Sequence, residues 1–558
     1  MSDNNAQTQR LDHLGIIAGV CDEIDLVDRI DAKVASRMSG PTVGQAVRAM
    51  VLNALGFVGR PLYLTPEFFR NKPVETLVGP GLSADDLNEH NLGRALDALF
   101  KAGITEVFVW VVQHALQVFG IDVRTIRLDS TTFSLHGEYA SDTDDALAAK
   151  ANENVAASHD AQVSERATSQ ADAEPRPIHI TYGYSKDHRP DLKQAMLNLI
   201  TANNATLPIW LEALDGNTSD NKSFPKAVKA FTDQLGADVT DPLLVVDAAV
   251  YSQENLPQIS ADGVWLSRVP ASLTLVRELK AEVPLEAMRF VNDQHAIWEW
   301  GSFYGGVKQR WLLAYHAPTA RKEQRKLQAR IDKEQQRAQR LLKRLGGREF
   351  ACREAAEAAL AQENKSLRFH QLSGQAERHT RYLEPGRPTP DSHTREVWHL
   401  SGSVIQDDAA IARENDACGK YMLATNQLDE QVLPAEAMLD TYRQQSTSVE
   451  WGFRFLKDPL FFAHSLFLKK PARIMALLMV MCLSLLIYSL AERRFQQALH
   501  ASGDTLPNQK NQPTRRLTLR RVFQMFEGID VLHITRAGVQ QRLILNLNDL
   551  HRQILGYF

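Results

Sequence analysis

The chain has 558 residues, too many for one core, and its 44% hydrophobic and 23% charged content places it among soluble globular proteins of roughly two to four domains. A net charge of −4 excludes a uniformly basic particle, so any nucleic-acid contact must come from local patches. The four cysteines, Cys21, Cys352, Cys418 and Cys482, stand far apart without a CxxC pair, which argues against a zinc site or disulfide framework and fits a reducing cytoplasm.

The polar opening, MSDNNAQTQRLDHLG, has no apolar run of the signal-peptide kind. Residues 42–120 carry helical spacing. In TVGQAVRAMVLNALGF the positions Val43, Ala46, Val47, Met50 and Val51 share a face, with Thr42 as the expected cap. LSADDLNEHNLGRALDALFKAG closes at Gly103 and ITEVFVWVVQHALQVFG at Gly120. We therefore expect an all-helical domain over 1–120.

The pattern then changes. VRTIRLD reads as a short strand ending at an acid, Asp129. PIHITYGYSKD, QAMLNLITA and LPIWLEALDG read as further strands. NTSDNKSFPKAVKAFTDQLG reads as a helix, and PLLVVDAAVYS repeats the apolar-run-then-acid signature at Asp247. Strands, a helix and a returning strand predict an α/β sheet with one parallel crossover. Residues 140–175 are polar and read as a long insert.

From 265 the chain carries short strands (VWLSRVP, AIWEWGSFYGG, QRWLLAYHAP) and then ARKEQRKLQARIDKEQQRAQRLLKRL. Leu327, Ile331, Ala338, Leu341 and Leu345 predict a partnered helix, part of a helical hairpin inserted with the strands over 265–420. Its many cations are either a DNA contact or a solvated face. IMALLMVMCLSLLIYSLA, residues 474–491, has no charge over 18 residues; we read it as a buried helix of a protein without membrane spans.

A carboxylate at the end of a sheet strand faces the crevice where α/β proteins hold ligands. A single such acid is most simply a turn residue; two on one sheet can share a divalent cation, because hard carboxylate oxygens suit Mg²⁺. A third acid comes from DTYRQQSTSVEWGFRFLKDP. There Val449, Phe453 and Leu456 form an apolar stripe, while Arg443, Glu450, Arg454 and Lys457 lie opposite, and Pro459 ends the helix near Lys457. Lys186, His188, Arg189 and Lys193 crowd GYSKDHRPDLKQ, a candidate phosphate-contacting loop. His188 lacks a second ligand at metal spacing, so we assign it none.

Taken in order, IRLDSTTFSLHGEY, YGYSKDHRPDLKQ, LDGNTSD, LLVVDAAVYSQENL, WLSRVP, GKYMLATNQLD and VEWGFRFLKDPLFFAHSLFLKKPARIMALLMV resemble the DDE transposases of bacterial insertion sequences. The branch resembled has an RNase H-like core interrupted by a β-rich domain. NLGRALDALFKAG and PTRRLTLRRVFQMFEGI also resemble segments of that branch.

The resemblance implies an α/β fold with an RNase H-like catalytic core over 121–264 and 421–498. It implies an α+β insertion over 265–420, a helical DNA-binding domain over 1–120 and a C-terminal segment over 499–558. It implies that Asp129, Asp247 and Glu450 hold two Mg²⁺ or Mn²⁺ ions and catalyse cleavage and strand transfer of DNA. Lys457 matches the family's lysine seven residues after the glutamate. The family's tyrosine and arginine, seven and four residues before it, fall on Arg443 and Ser446, with Tyr442 one step out of phase. That leaves open a hairpin intermediate. Lys457, Arg454, Arg443, Tyr442, Lys186, Arg189 and Lys193 are the candidate DNA contacts. The implied partners are transposon ends and target DNA, with a homodimer on DNA at a cytoplasmic nucleoid. Two rivals stay open: a nuclease that cuts without joining, and a transposase-derived DNA-binding protein without catalysis.

Overall fold

The computed structural model describes all residues except 1–4, 36–38, 59, 137–138, 140–174, 188, 204–206, 219, 236–241, 384–392, 459–467 and 537–538. The side chains of residues 5, 220–222, 235, 445–451, 535–536 and 539–540 also lie outside the description. The polar insert expected over 140–175 falls almost wholly outside it. The protein is mixed α/β and divides into two compact units, Met1–Leu266 with Asp440–Phe558, and Ser267–Leu439.

Unit 1 opens with strand β1 (Asn5–Arg10) and helices α1 (Leu14–Glu23), α2 (Val43–Leu55), α3 (Glu89–Lys101) and α4 (Ile104–Val118). Thr42 caps α2 in a reciprocal box with Gln45, as its position predicts, and the Asn88 side chain caps α3. Five strands follow: β2 (Thr125–Leu135), β3 (Lys193–Ala202), β4 (Leu207–Leu214), β5 (Leu243–Val246) and β6 (Trp265–Arg268), with α5 (Asp220–Leu235) between β4 and β5. Their order is β4-β3-β2-β5-β6. The first three are antiparallel neighbours, and β5 returns parallel to β2 after the α5 crossover.

Two expectations need correction. The strand through Asp129 does not end there. It continues to Leu135, because β3 pairs with it from Ile126↔Ala202 to Leu135↔Lys193, and Ser130, Thr131 and Thr132 are buried ladder residues. PIHITYGYSKD is not a strand; one bridge, Thr181↔Gln194, marks it. Its polar backbone is satisfied by the turn after β4 instead. The His179 N–H donates to Asp215 Oδ1 at 2.6 Å, and the Gly216 N–H donates to the His179 carbonyl at 3.0 Å.

The chain enters unit 2 within β6. There β7 (Arg289–Asn292), β8 (His295–Tyr304) and β9 (Val307–His316) form an antiparallel run, followed by α6 (Ala317–Gly346), α7 (Arg353–Asn364), the hairpin β10 (His370–Tyr382) and β11 (Thr394–Gln406), and β12 (Lys420–Thr425). The sheet order is β12-β9-β8-β7. The apolar stripe of α6 is buried at Leu327, Ile331, Ala338 and Leu345. Its partners are not those of a simple helical hairpin. Leu327 and Ile331 pack on Phe369 and Cys418, while Ala338 and Leu345 pack on Phe350, Ala356 of α7, Leu372 and Leu400.

The chain returns to unit 1 within α8 (Ala435–Leu456) and continues into α9 (Pro471–Ser502). Two further strands, β13 (Asp530–Arg536) and β14 (Val539–Leu545), pair with each other and with β1. Helix α9 is long and apolar enough to cross a membrane, and its apolar window is 100% buried inside the protein. It packs against α1, α2, α3, α4 and β4, so the N-terminal helices share a core with the sheet instead of standing apart over 1–120. Ion pairs clamp both ends of α9: Arg473 with Asp97 of α3 at 2.7 Å, and Arg494 with Glu23 of α1.

Candidate active site

Strand β2 is the centre of unit 1's sheet and carries the first acid. Its parallel register with β5 pairs Thr125 with Leu243, Ile126 with Leu244 and Arg127 with Val245. Asp129 lies two residues beyond Arg127, and Asp247 two beyond Val245. Asp247 lies one residue past the end of β5, and the register continued beyond Arg127↔Val245 would bring it level with Asp129.

Asp129 is half-buried and Asp247 exposed. Each accepts a hydrogen bond at Oδ1 from the next backbone N–H, Ser130 at 2.7 Å and Ala248 at 2.6 Å. These bonds orient the carboxylates. The paired hard oxygen donors fit a divalent cation such as Mg²⁺. Among the described residues no group of three His, Cys, Asp or Glu forms a metal cluster. Glu450 belongs to α8, and its side chain lies outside the described residues.

Helix α8 runs beside β2. Near its start, the Thr441 carbonyl accepts from Arg127 Nη2 at 3.3 Å; just past its end, Lys457 Nζ sits 5.8 Å from the Phe133 ring centroid. Phe453 and Leu456 are buried, as the stripe predicts, and Arg454 is exposed; Val449 lies outside the description. A Cβ at Gly452 would stand 3.5 Å from Leu485 Cδ2, so α8 lies close on α9.

Arg127 is a residue the sequence reading passed over. It is fully buried, and its guanidinium also donates to the Asn203 carbonyl. Burial lowers its pKa. It ties β2 to α8 across 314 residues of chain. The signal was present: a cation two residues before the acid shares its face of the strand.

The candidate cations are placed unequally. Lys186 reaches β2, where its ammonium donates to the Ser130 carbonyl at 2.9 Å and the Ser130 hydroxyl at 2.6 Å, beside Asp129. Lys457 is ion-paired to Asp187 at 2.6 Å, so Lys186 and Lys457 meet along the same strand. Arg189 forks onto Asp191 at the surface and holds that carboxyl down at about 2. Arg443 sits 3.6 Å from Asp440 on its own helix, and Tyr442 is half-buried. Lys193 needs correction as a DNA contact. It lies in β3, all ten residues of which are buried, with its ammonium 3.5 Å from the Tyr139 carbonyl and near the Tyr182 ring. His188 lies outside the described residues.

A cleft of about 1060 Å³ lies at the start of β2, lined by Arg124, Thr125, Thr441, Glu492, Arg493 and Arg516 among others. It is remote along β2 from Phe133 and Lys457.

Comparison with known proteins gives the following likenesses. A family described as a domain of unknown function, DUF4277, matches residues 6–113, the helical stretch from β1 into α4. No curated protein matches the chain. Among solved structures, the cryo-EM synaptic complex of the piggyBac transposase with hairpin DNA is similar at 10% identity and a TM-score of 0.35, covering 94% of this chain and 82% of that one. A likeness at that level establishes neither a shared fold nor a shared activity.

Proposed function

We propose that the chain is a DDE transposase with an RNase H-like core, acting on the ends of an insertion sequence as a dimer on DNA. The observation that carries the reading is the parallel register of β2 and β5, which runs to Arg127↔Val245 and supports a pairing of Asp129 with Asp247 just beyond it. A second observation supports Glu450 as the third acid. From Thr441 to Lys457, α8 rises about 24 Å at 1.5 Å per residue. From Arg127 to Phe133, β2 advances about 20 Å. The two ends of these stretches are in contact. Interpolation between them gives a Glu450 backbone level with residues 130–131 of β2, which supports the assignment of this acid.

Asp129, Asp247 and Glu450 would hold two Mg²⁺ or Mn²⁺ ions. When bound, such ions lower the pKa of the attacking water and stabilise the leaving 3′ oxygen. The chain's own part is to fix the carboxylates and to face the scissile phosphate with cations. Lys186, anchored on Ser130, supplies that charge beside the acids, while Lys457 stands nearby with its charge balanced by Asp187. The 3′-OH released by hydrolysis then attacks a phosphodiester of target DNA, and the displaced 3′ oxygen leaves with the proton.

The test is Asp129→Asn and Glu450→Gln, assayed on duplexes carrying the inverted repeats that flank the gene. Each variant should lose cleavage by about a thousandfold or more, the kinetic equivalent of several kcal/mol of metal catalysis. Mn²⁺ titration followed by electron paramagnetic resonance should show weaker binding. Parental cleavage by Asp129→Asn overturns the assignment. Cutting without joined product would make the chain a nuclease instead.

A further inference from the structure

Helix α6 of unit 2 takes no part in the site above, yet it is the most strongly charged element of the protein. Over Ala317–Gly346 it carries ten Lys or Arg against three Asp or Glu, a net charge of +7 in a chain of net −4. The arrangement matters more than the count. Lys322, Lys326, Arg330, Lys333, Arg337 and Arg340 follow one another at steps of 4, 4, 3, 4 and 3 residues. At 3.6 residues per turn these six fall within a stripe about 80° wide and about 27 Å long. Arg344 extends the row by one step, and among the described residues it is the member with an ion-pair partner, Glu363 at 2.5 Å.

All six are exposed, and the three acids, Glu323, Asp332 and Glu334, lie off the stripe. The apolar side of the helix is already covered: Leu327, Ile331, Ala338 and Leu345 are buried against the hairpin, α7 and the segment around Cys418.

Solvated helices of ordinary proteins intersperse opposite charges at i,i+4, which stabilises them. Within this row the successive i,i+4 and i,i+3 neighbours repel one another, and the acids that flank it, Glu323 and Glu334, neighbour only Lys326, Arg330 and Arg337 at those spacings. A single-signed row that opposes the helix's own stability points to a polyanion. We propose that this row is a docking ridge for the phosphate backbone of duplex DNA. The inference rests on the reading of the chain as a DNA-acting protein.

The face selects among polyanions. It carries no aromatic residue on which an unpaired base would stack, as single-strand binders require. It offers no exposed large apolar residue to enter a lipid surface, since the helix's apolar stripe is buried. Its length approaches one turn of B-form DNA, about 34 Å. No base-reading geometry is implied, so the contact is independent of DNA sequence.

The experiment uses the full chain and a fluorescein-labelled 40-base-pair duplex of arbitrary sequence, with anisotropy read from 50 to 200 mM NaCl. The variant is Lys326→Gln, Lys333→Gln and Arg337→Gln together. Glutamine keeps helix propensity at exposed positions, and circular dichroism checks the fold. Three lost phosphate contacts should make the slope of log K against log salt shallower by about 2.7, a roughly 40-fold smaller fall in affinity across that range. A control of equal charge change elsewhere on unit 2, Arg277→Gln, Arg353→Gln and Arg413→Gln, should keep the parental slope.

An unchanged slope in the ridge variant overturns the proposal. So does tighter, ridge-dependent binding to anionic phosphatidylserine vesicles, or to a 40-nucleotide single-stranded RNA, than to the duplex. The catalytic reading fails separately. A ridge-dependent slope in a protein that never cuts DNA would sink the transposase reading alone.

Discussion

The ion pair between Lys457 and Asp187 makes a prediction in an unusual direction: a single neutralising substitution should tighten DNA binding. The Lys457 ammonium lies 2.6 Å from Asp187 Oδ1, and the two side chains are 25% and 35% exposed. The pair is electrically neutral, so it displaces no counterion when DNA arrives. Asp187→Asn leaves a net +1 beside β2. The pair is half in solvent, and its contribution to folding is about 0–1 kcal/mol at most, so the variant should fold. One more phosphate contact steepens the slope of log K against log salt by about 0.9, adding about 3.5-fold in affinity between 200 and 50 mM salt. Anisotropy titrations on a labelled duplex read both quantities. The double variant Asp187→Asn with Lys457→Gln should return to the parental slope, because the gain passes through the lysine. A parental slope in Asp187→Asn, or a gain that survives the loss of Lys457, would refute the placement of this lysine on the DNA path.

Three further outcomes concern the core. His13 is buried, stacked on Phe523 with Nε2 2.8 Å from the Leu55 carbonyl, and burial lowers its pKa to about 4. Below pH 6.5 the unfolded chain takes up a proton that the folded ring refuses, so stability is lost as pH falls towards 4. The loss is about 2 kcal/mol by pH 5, and urea midpoints at pH 7 and 5 should show it in the parent but not in His13→Gln. Burial pushes the Glu492 carboxyl up, with the Leu519 N–H at 3.3 Å opposing. A raised folded pKa gives stability below the unfolded value that is lost as pH rises, so Glu492→Gln should melt above the parent at pH 7, with a smaller gap at pH 4. Leu485, fully buried on α9 against Gly452, should cost about 2–5 kcal/mol when cut to alanine, read as a lowered thermal midpoint.

What the sequence revealed depended on whether the signal was local. The repeated apolar-run-then-acid motif gave both aspartates and the helix between their strands, because alternation and helical spacing are properties of neighbouring residues. The stripe of Phe453 and Leu456 placed α8 for the same reason. Pairing partners were not legible. Ser130, Thr131 and Thr132 read as a hydroxyl-rich turn, yet they are buried because β3 pairs along them. Lys193 read as a loop cation beside Pro190, whereas β3 begins at that residue and is covered throughout. PIHITYGYSKD has strand-like alternation, but Asp215 and Gly216 capture its backbone first. Arg127 escaped notice because its role depends on Thr441, far along the chain.

The clamps on α9 carry a consequence for how the protein is made. Asp97 and Glu23 leave the ribosome hundreds of residues before Arg473 and Arg494. The apolar faces of α1–α4 must wait for the helix that covers them while the whole of unit 2 is translated. Between residue 266 and residue 471 that delay is about 10–40 s at ordinary elongation rates. Throughout it the nascent N-terminal half exposes a greasy groove open to any passing hydrophobic segment. Chains that stall inside unit 2 should thus become clients of holdase chaperones, whereas those released after α9 close on themselves.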